Sequence, residues 1–283
     1  MTRAFVLSGG ASLGAVQVGM LKALAGHGIL PDRVYGSSAG AVNAAWVAGD
    51  PRLEHLDELD RLWVGLRTRT VFPAHPVRGL LGFLGRENSL VSSGSLRRLL
   101  HRQVRFTRLE DAAIPIGIPV TEVTTGREEM LRAGDAVQAV LASAAIPGVF
   151  PPVTIDGRAF IDGSIVNNVP IEPAVEDGAT EIWVLATGYA CNLERPPRGA
   201  LAMILHAVSL LVQQRLIRDV EEFGERVALR VIPPLCPLDV SPADFSQARA
   251  LIDRAEAAAN AWIDHLDPHV GVEQARDLGF HRH

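Results

Sequence analysis

The chain opens on an unbroken apolar run, Ala4-Phe5-Val6-Leu7, that stops at Ser8-Gly9-Gly10. From Ala15 to Gly26 the apolar residues Val16, Met20, Leu21 and Leu24 then recur at helical spacing. A short continuous apolar run bounded by glycines predicts a buried strand, and the 3.6-residue spacing predicts a helix packed on it. The unit repeats. The run Asp32-Arg33-Val34-Tyr35 reaches Gly36, and Ala41 to Ala48 follows as a small-residue helix. Asp50 to Val64 places Leu53, Leu56, Leu59 and Trp63 on one helical face. Ile114 to Val123 reads as an interior strand, and Asp135 caps a predicted helix over Ala136 to Ala145. Val153 to Ile161 reads as a hairpin around Asp156-Gly157, a favoured two-residue turn.

Further on, Pro170 to Asp177 predicts a short helix with proline in its first turn. Glu181 to Thr187 predicts a buried strand, 199–222 a long helix, and Val227 to Ile232 a last strand. Ala243 to His265 carries Phe245, Leu251, Ile252, Ala255 and Trp262 at helical spacing. Strands alternating with helices, without internal repeats, predict an α/β fold: a central, mostly parallel sheet flanked by helices in three layers. One domain over residues 1–283 is expected.

One stretch breaks the pattern. Between Gly65 and Leu109 lie nine arginines, with Glu87 as the sole acid, interleaved with Phe72, Pro73, Pro76 and the cluster Leu80-Leu81-Gly82-Phe83-Leu84. Turn residues, apolar side chains and unbalanced positive charge predict a cap or lid at about 65–109 that faces an anionic surface. A solvated, loop-rich insertion is the plainer reading of the same charges. Within it, Leu96 to Gln103 is expected to be a short helix with serines before it.

Composition narrows the function. A net charge of -5 over 283 residues makes no case for nucleic acid as a partner. Cys191 and Cys236 lack metal-ligand spacing, so two reduced thiols are expected, and neither a metal nor an organic cofactor is implied. The longest apolar segment, Ala200 to Val212, is too short for a membrane span and carries His206 and Ser209. A cytoplasmic protein that meets a membrane only peripherally, through 65–109, is expected.

Candidate chemistry lies in the loops after the strands, the edge where open α/β sheets bind ligands. Gly36-Ser37-Ser38-Ala39-Gly40 spells G-x-S-x-G between a strand and a helix, the pattern of a nucleophile elbow. Ser38 would there sit at the positive end of a helix, where oxyanion charge is stabilised. The glycines of the first loop fall as G-G-x-x-x-G, which is not the dinucleotide fingerprint, and Gly36 occupies the position where that fingerprint needs an acid. Backbone amides in such a loop form an anion site. No late histidine stands where a Ser-His-Asp hydrolase would need one.

Taken together, four blocks resemble the patatin-like lipid acyl hydrolases over about residues 4 to 190. Ser8-Gly9-Gly10-Ala11-Ser12-Leu13-Gly14-Ala15 is similar to the family's oxyanion loop, and Gly36 to Gly40 to its nucleophile elbow. Ala142 to Pro152 resembles its alanine-and-proline block, and Asp162-Gly163-Ser164 stands where the family has its catalytic aspartate. The resemblance implies a nucleophile at Ser38, its dyad partner at Asp162, an oxyanion hole from Gly9, Gly10 and Ala11, and elbow glycines at Gly36 and Gly40. The implied reaction is hydrolysis of a lipid or acyl ester through an acyl-serine intermediate, as in a phospholipase A, lysophospholipase or carboxylesterase. Acyl transfer, or a weakly active lipid-binding protein that docks on membranes, remains an alternative on the same scaffold. Three positions of the first loop depart from the family: Ala11 replaces a glycine, and Ser12-Leu13 replaces an Ala-Arg pair. An alanine at position 11 would tilt a donor if the backbone there needs positive φ, and Leu13 would favour a neutral acyl ester.

Overall fold

A computed structural model describes residues 1–72, 89, 91–188, 200–236, 238 and 240–266. Five strands build a parallel core: β1 (Arg3–Leu7), β2 (Arg33–Gly36), β3 (Ile116–Glu122), and, numbered in chain order with those that follow, β7 (Glu181–Leu185) and β8 (Ala228–Ile232). They run side by side as β3-β2-β1-β7-β8. The short strands β4 (Glu128–Leu131), β5 (Val153–Ile155) and β6 (Arg158–Asp162) add antiparallel pairs beyond β3. The sheet is therefore mixed, with its parallel part as expected.

Alternation along the strands assigns each face, because successive side chains point to opposite sides of a sheet. In β1, Phe5 and Leu7 join the larger core cluster, and Ala4 and Val6 join the smaller one. In β7, Trp183 and Leu185 face the first side, and Ile182 and Val184 the second. The larger side is packed by α1 (Gly14–Gly26), α2 (Ala39–Gly49), α3 (Leu56–Gly65) and, later in the chain, α9 (Ala248–Asp264). The smaller side is closed by α7 (Ile171–Glu176) and α8 (Ala200–Phe223). Between them in sequence come α4 (Thr68–Val71), α5 (Gly94–Gln103) and α6 (Ala136–Ser143). Asp135 caps α6 by accepting the Gln138 amide at 2.7 Å. The three-layer expectation holds.

Three expectations change. The helix expected over Asp50 to Val64 begins only at Leu56, because Leu53 has φ 57° and the Asp50 carboxylate accepts the His55 amide at 2.9 Å, folding 50–55 into a turn. The terminal helix starts as a 3-10 turn, Phe245–Gln247, before α9. Cys236 is disulfide-bonded, against the expectation of reduced thiols; spacing along the chain carried no information on proximity in space. Cys191 lies outside the described residues, as do Arg78, Arg86 and most of the apolar and proline cluster between them. Among the described residues, no helix is long and apolar enough to cross a membrane.

Candidate active site

The elbow is built by close approach. A Cβ on Gly36 would lie 2.2 Å from the Gly40 carbonyl oxygen, and one on Gly40 would lie 2.2 Å from the Leu7 carbonyl oxygen. Real Cβ atoms do not make such contacts, so only glycine at both positions lets α2 start directly over the ends of β1 and β2. Between them Ser38 is held at φ 54°, ψ -120°, outside the regions a serine prefers. Its amide donates to Ser143 Oγ at 3.1 Å, and Ser143 Oγ donates on to the Pro119 carbonyl at 2.7 Å. Ser143 is fully buried. It ties the strained bend to β3, and the sequence carried no sign of that role beyond its place in the alanine-rich block.

Asp162 reaches Ser38 from an unexpected direction. It lies not at the carboxyl end of a parallel strand but at the end of antiparallel β6, which runs back over β3 so that Asp162 pairs with Val120. The turn that follows is tight. A Cβ on Gly163 would lie 2.0 Å from the Pro119 carbonyl oxygen, which explains the Asp-Gly pair. Ser38 Oγ donates to Asp162 Oδ2 at 2.7 Å, and the Ser164 amide donates to Oδ1 at 2.8 Å. Both partners are almost closed off from solvent, Ser38 at 5% exposure and Asp162 at 4%. Burial pushes the Asp162 carboxyl up from its ordinary 3.8 to about 6, partly opposed by the bonds from Ser38 and Ser164. Among the described residues no histidine bonds to either side chain. A carboxylate so placed can take a hydroxyl proton at neutral pH.

The glycine-rich loop is clamped beside this pair. Thr187 Oγ1 donates to the Gly9 carbonyl at 2.6 Å, and Gln17 Nε2 donates to the Ser8 carbonyl at 2.8 Å. The Gly9 amide, expected among the oxyanion donors, is committed to Asn168 Oδ1 at 3.1 Å and the Asn168 carbonyl at 3.3 Å. The amides of Gly10 and Ala11 have no hydrogen-bond partner among the described residues, nor has that of Ala39 at the start of α2. Ala39 is an amide that sequence reasoning passed over. Ala11 does adopt positive φ, 50°, a conformation that costs an alanine about 1 kcal/mol. Leu13 is packed in the core, 9% exposed, and is not among the residues that line the cavity beside Ser38.

That cavity opens to solvent, and among the described residues Ser38 is the one lining residue with a hydroxyl or a charge. Ala11, Ala39 and Val42 border it near Ser38; Trp63, Phe72, Phe150 and Phe245 form an aromatic wall, with Trp63 and Phe245 stacked at 6.4 Å between ring centroids. Leu66, Val71, Leu96 and Leu99 contribute the side that belongs to the arginine-rich stretch. The described arginines of that stretch are exposed, but two are less free than their sequence implied. Arg105 pairs with Glu58 at 2.8 Å and Arg108 with Glu110 at 2.7 Å, acids supplied from outside 65–109. Among the described residues no group of three or more His, Cys, Asp or Glu side chains is placed to hold a metal ion.

The family model for patatin-like phospholipase matches residues 5–175. The mouse patatin-like phospholipase domain-containing protein 6 is 28% identical over 189 residues, covering 66% of this chain and 14% of that protein. Lysophospholipase NTE1 of Cryptococcus neoformans is 31% identical over 191 residues, covering 65% of this chain and 11% of that protein. The chain thus spans a small fraction of the length of these curated relatives. Among solved structures, human GIVD cytosolic phospholipase A2 aligns with a TM-score of 0.47 at 12% identity, over 98% of this chain and 63% of that one. With the family pattern covering more than half of its residues, the chain belongs to the patatin-like phospholipase family.

Proposed function

We propose that the protein is a lipid acyl hydrolase in which Ser38 is the nucleophile and Asp162 the general base. The observation that carries this reading is the 2.7 Å bond from Ser38 Oγ to a buried carboxylate of raised pKa, at the mouth of an apolar cavity. A free hydroxyl is a weak nucleophile, and Asp162 accepts its proton as Oγ attacks the ester carbonyl. With a pKa of about 6, Asp162 is mostly ionised at pH 7 and still more basic than an ordinary carboxylate.

The tetrahedral oxyanion is received by the open amides of Gly10, Ala11 and Ala39, aided by the N-terminus of α2. As the C–O bond breaks, protonated Asp162 returns its proton to the leaving alcohol, and the acyl group stays on Ser38. Water then enters, loses a proton to Asp162 and attacks the acyl carbonyl. Collapse of that second intermediate expels Ser38 Oγ, which takes back the proton, and releases a fatty acid. The cavity suits the acyl chain because its walls are aliphatic and aromatic. The described parts of 65–109 act as a cap in this reading, since they supply one side of the chain site.

Hydrolysis of a p-nitrophenyl acyl ester tests the proposal. Ser38→Ala and Asp162→Asn should each reduce turnover to the background rate while circular dichroism stays that of the native protein. Undiminished turnover in either variant would overturn the assignment.

A further inference from the structure

The amides proposed to receive the oxyanion sit on a loop with an alanine in a left-handed conformation, Ala11 at φ 50°. Such a backbone persists only when its surroundings over-determine it. On the N-terminal side the loop is held at Gly9 by Asn168 and Thr187. On the C-terminal side it is held at Ser12, and by a part of the chain that lies outside residues 5–175. The Ser12 amide donates to the Pro242 carbonyl at 2.9 Å, and Ser12 Oγ donates to the Ser241 carbonyl at 3.1 Å. Ser12 is 1% exposed, so the donor side of both bonds is shielded from water, while the acceptors Ser241 and Pro242 lie at the surface.

The strap that accepts them is itself tied down at several points. Ser241 also accepts the Asp244 amide at 2.9 Å, and the Ala243 carbonyl accepts Thr68 Oγ1 of α4 at 2.9 Å. Phe245, three residues after Pro242, is buried in the aromatic wall of the cavity. One short segment between β8 and α9 therefore touches the oxyanion loop, the cap and the chain site.

We propose that Ser12 is a positioning residue, which together with the strap at 241–245 holds Ala11 in its left-handed conformation and so aims the Gly10 and Ala11 amides at the reacting carbonyl. The proposal rests on the hydrolase reading above. It makes the C-terminal strap part of the catalytic apparatus. It also explains how an alanine is accommodated where a glycine would need no support: glycine adopts positive φ without steric cost, and alanine does not.

Two substitutions in a cycle test this in the full chain, with p-nitrophenyl ester turnover, native circular dichroism and fluorophosphonate labelling followed together. Ser12→Ala removes one of the two bonds to the strap and should lower kcat by about fivefold with KM little changed, the loss expected from one misaimed hydrogen bond. In an Ala11→Gly background, where the conformation needs no clamp, the same Ser12→Ala change should cost less than about twofold. An equal loss in both backgrounds, a loss confined to KM, or no loss would overturn the proposal. Labelling of Ser38 keeps the two readings apart: if wild type neither labels nor turns over, the hydrolase reading itself has failed, whereas labelling with additive Ser12 and Ala11 effects refutes only the clamp.

Discussion

Replacing Asp162 by asparagine should abolish activity and, at neutral pH, make the protein more stable. Folding encloses Asp162 almost completely and raises its pKa from 3.8 to about 6. A shift of roughly two units means that the folded state holds the carboxylate about 3 kcal/mol less favourably than the unfolded chain does at any pH above 6. The sign follows from proton counting. Between about pH 4 and 6 the folded protein binds a proton at Asp162 that the unfolded chain has released, so this group's contribution to stability falls as pH rises through the window. Above pH 6 both states are ionised and the whole penalty is present; below pH 4 both are protonated and it is gone.

Asparagine is neutral throughout. Its carbonyl can keep the Ser164 amide, but the amide group it turns to Ser38 Oγ cannot accept that hydroxyl's proton, which forfeits about 1 kcal/mol. The net gain for Asp162→Asn should be about 2 kcal/mol at pH 8 and should give way to a loss of up to about 1 kcal/mol at pH 4, where the missing hydrogen bond outweighs what is left of the charge penalty. Urea denaturation of wild type and variant at both pH values reads this directly. A variant that is no more stable at pH 8, or whose advantage is the same at pH 4, would refute the claim that burial of a charged Asp162 is what tunes the site.

Other outcomes follow from the same geometry. Ser143→Ala leaves the Ser38 amide and the Pro119 carbonyl without their shared partner, so it should lower stability by about 1–3 kcal/mol and reduce kcat more than it raises KM; a wild-type kcat would remove Ser143 from the positioning of the elbow. Val42→Phe fills the cavity beside Ser38 and should lower kcat/KM for long-chain esters on the order of tenfold while sparing short ones, as chain-length profiling would show; an unchanged profile would place the acyl chain elsewhere. Arg97, Arg98 and Arg102 on α5 are exposed and make no ion pair among the described residues. If the cap meets membranes, changing all three to alanine should weaken co-sedimentation with anionic liposomes by up to on the order of a hundredfold at low salt, and binding that ignores both lipid charge and salt would exclude that role.

Much of this was legible in the sequence because local rules and global fold agree there. The parallel core shows through its short apolar runs, the elbow through two glycines whose absent side chains are needed at 2.2 Å contacts, and the hairpin through Asp156-Gly157. What stayed hidden depends on contacts between distant segments. The direction from which Asp162 arrives, the commitment of the Gly9 amide to Asn168 and the Ser143 bridge join residues 41, 159 and 105 positions apart, and no local pattern encodes them. The burial of Leu13 was hidden in the same way, since the fold turns a residue beside the loop glycines into the core. The pairing of Arg105 and Arg108 was missed because their acids lie outside the stretch in which charge was counted.

In the proposed mechanism Ser38 carries the acyl group. Intact-mass analysis of the protein after exposure to an alkyl fluorophosphonate, with the modified peptide mapped, tests this. A single adduct on Ser38 is expected, lost in Ser38→Ala and slowed strongly in Asp162→Asn. No adduct on the wild-type protein, or an adduct that survives in Ser38→Ala, would contradict it.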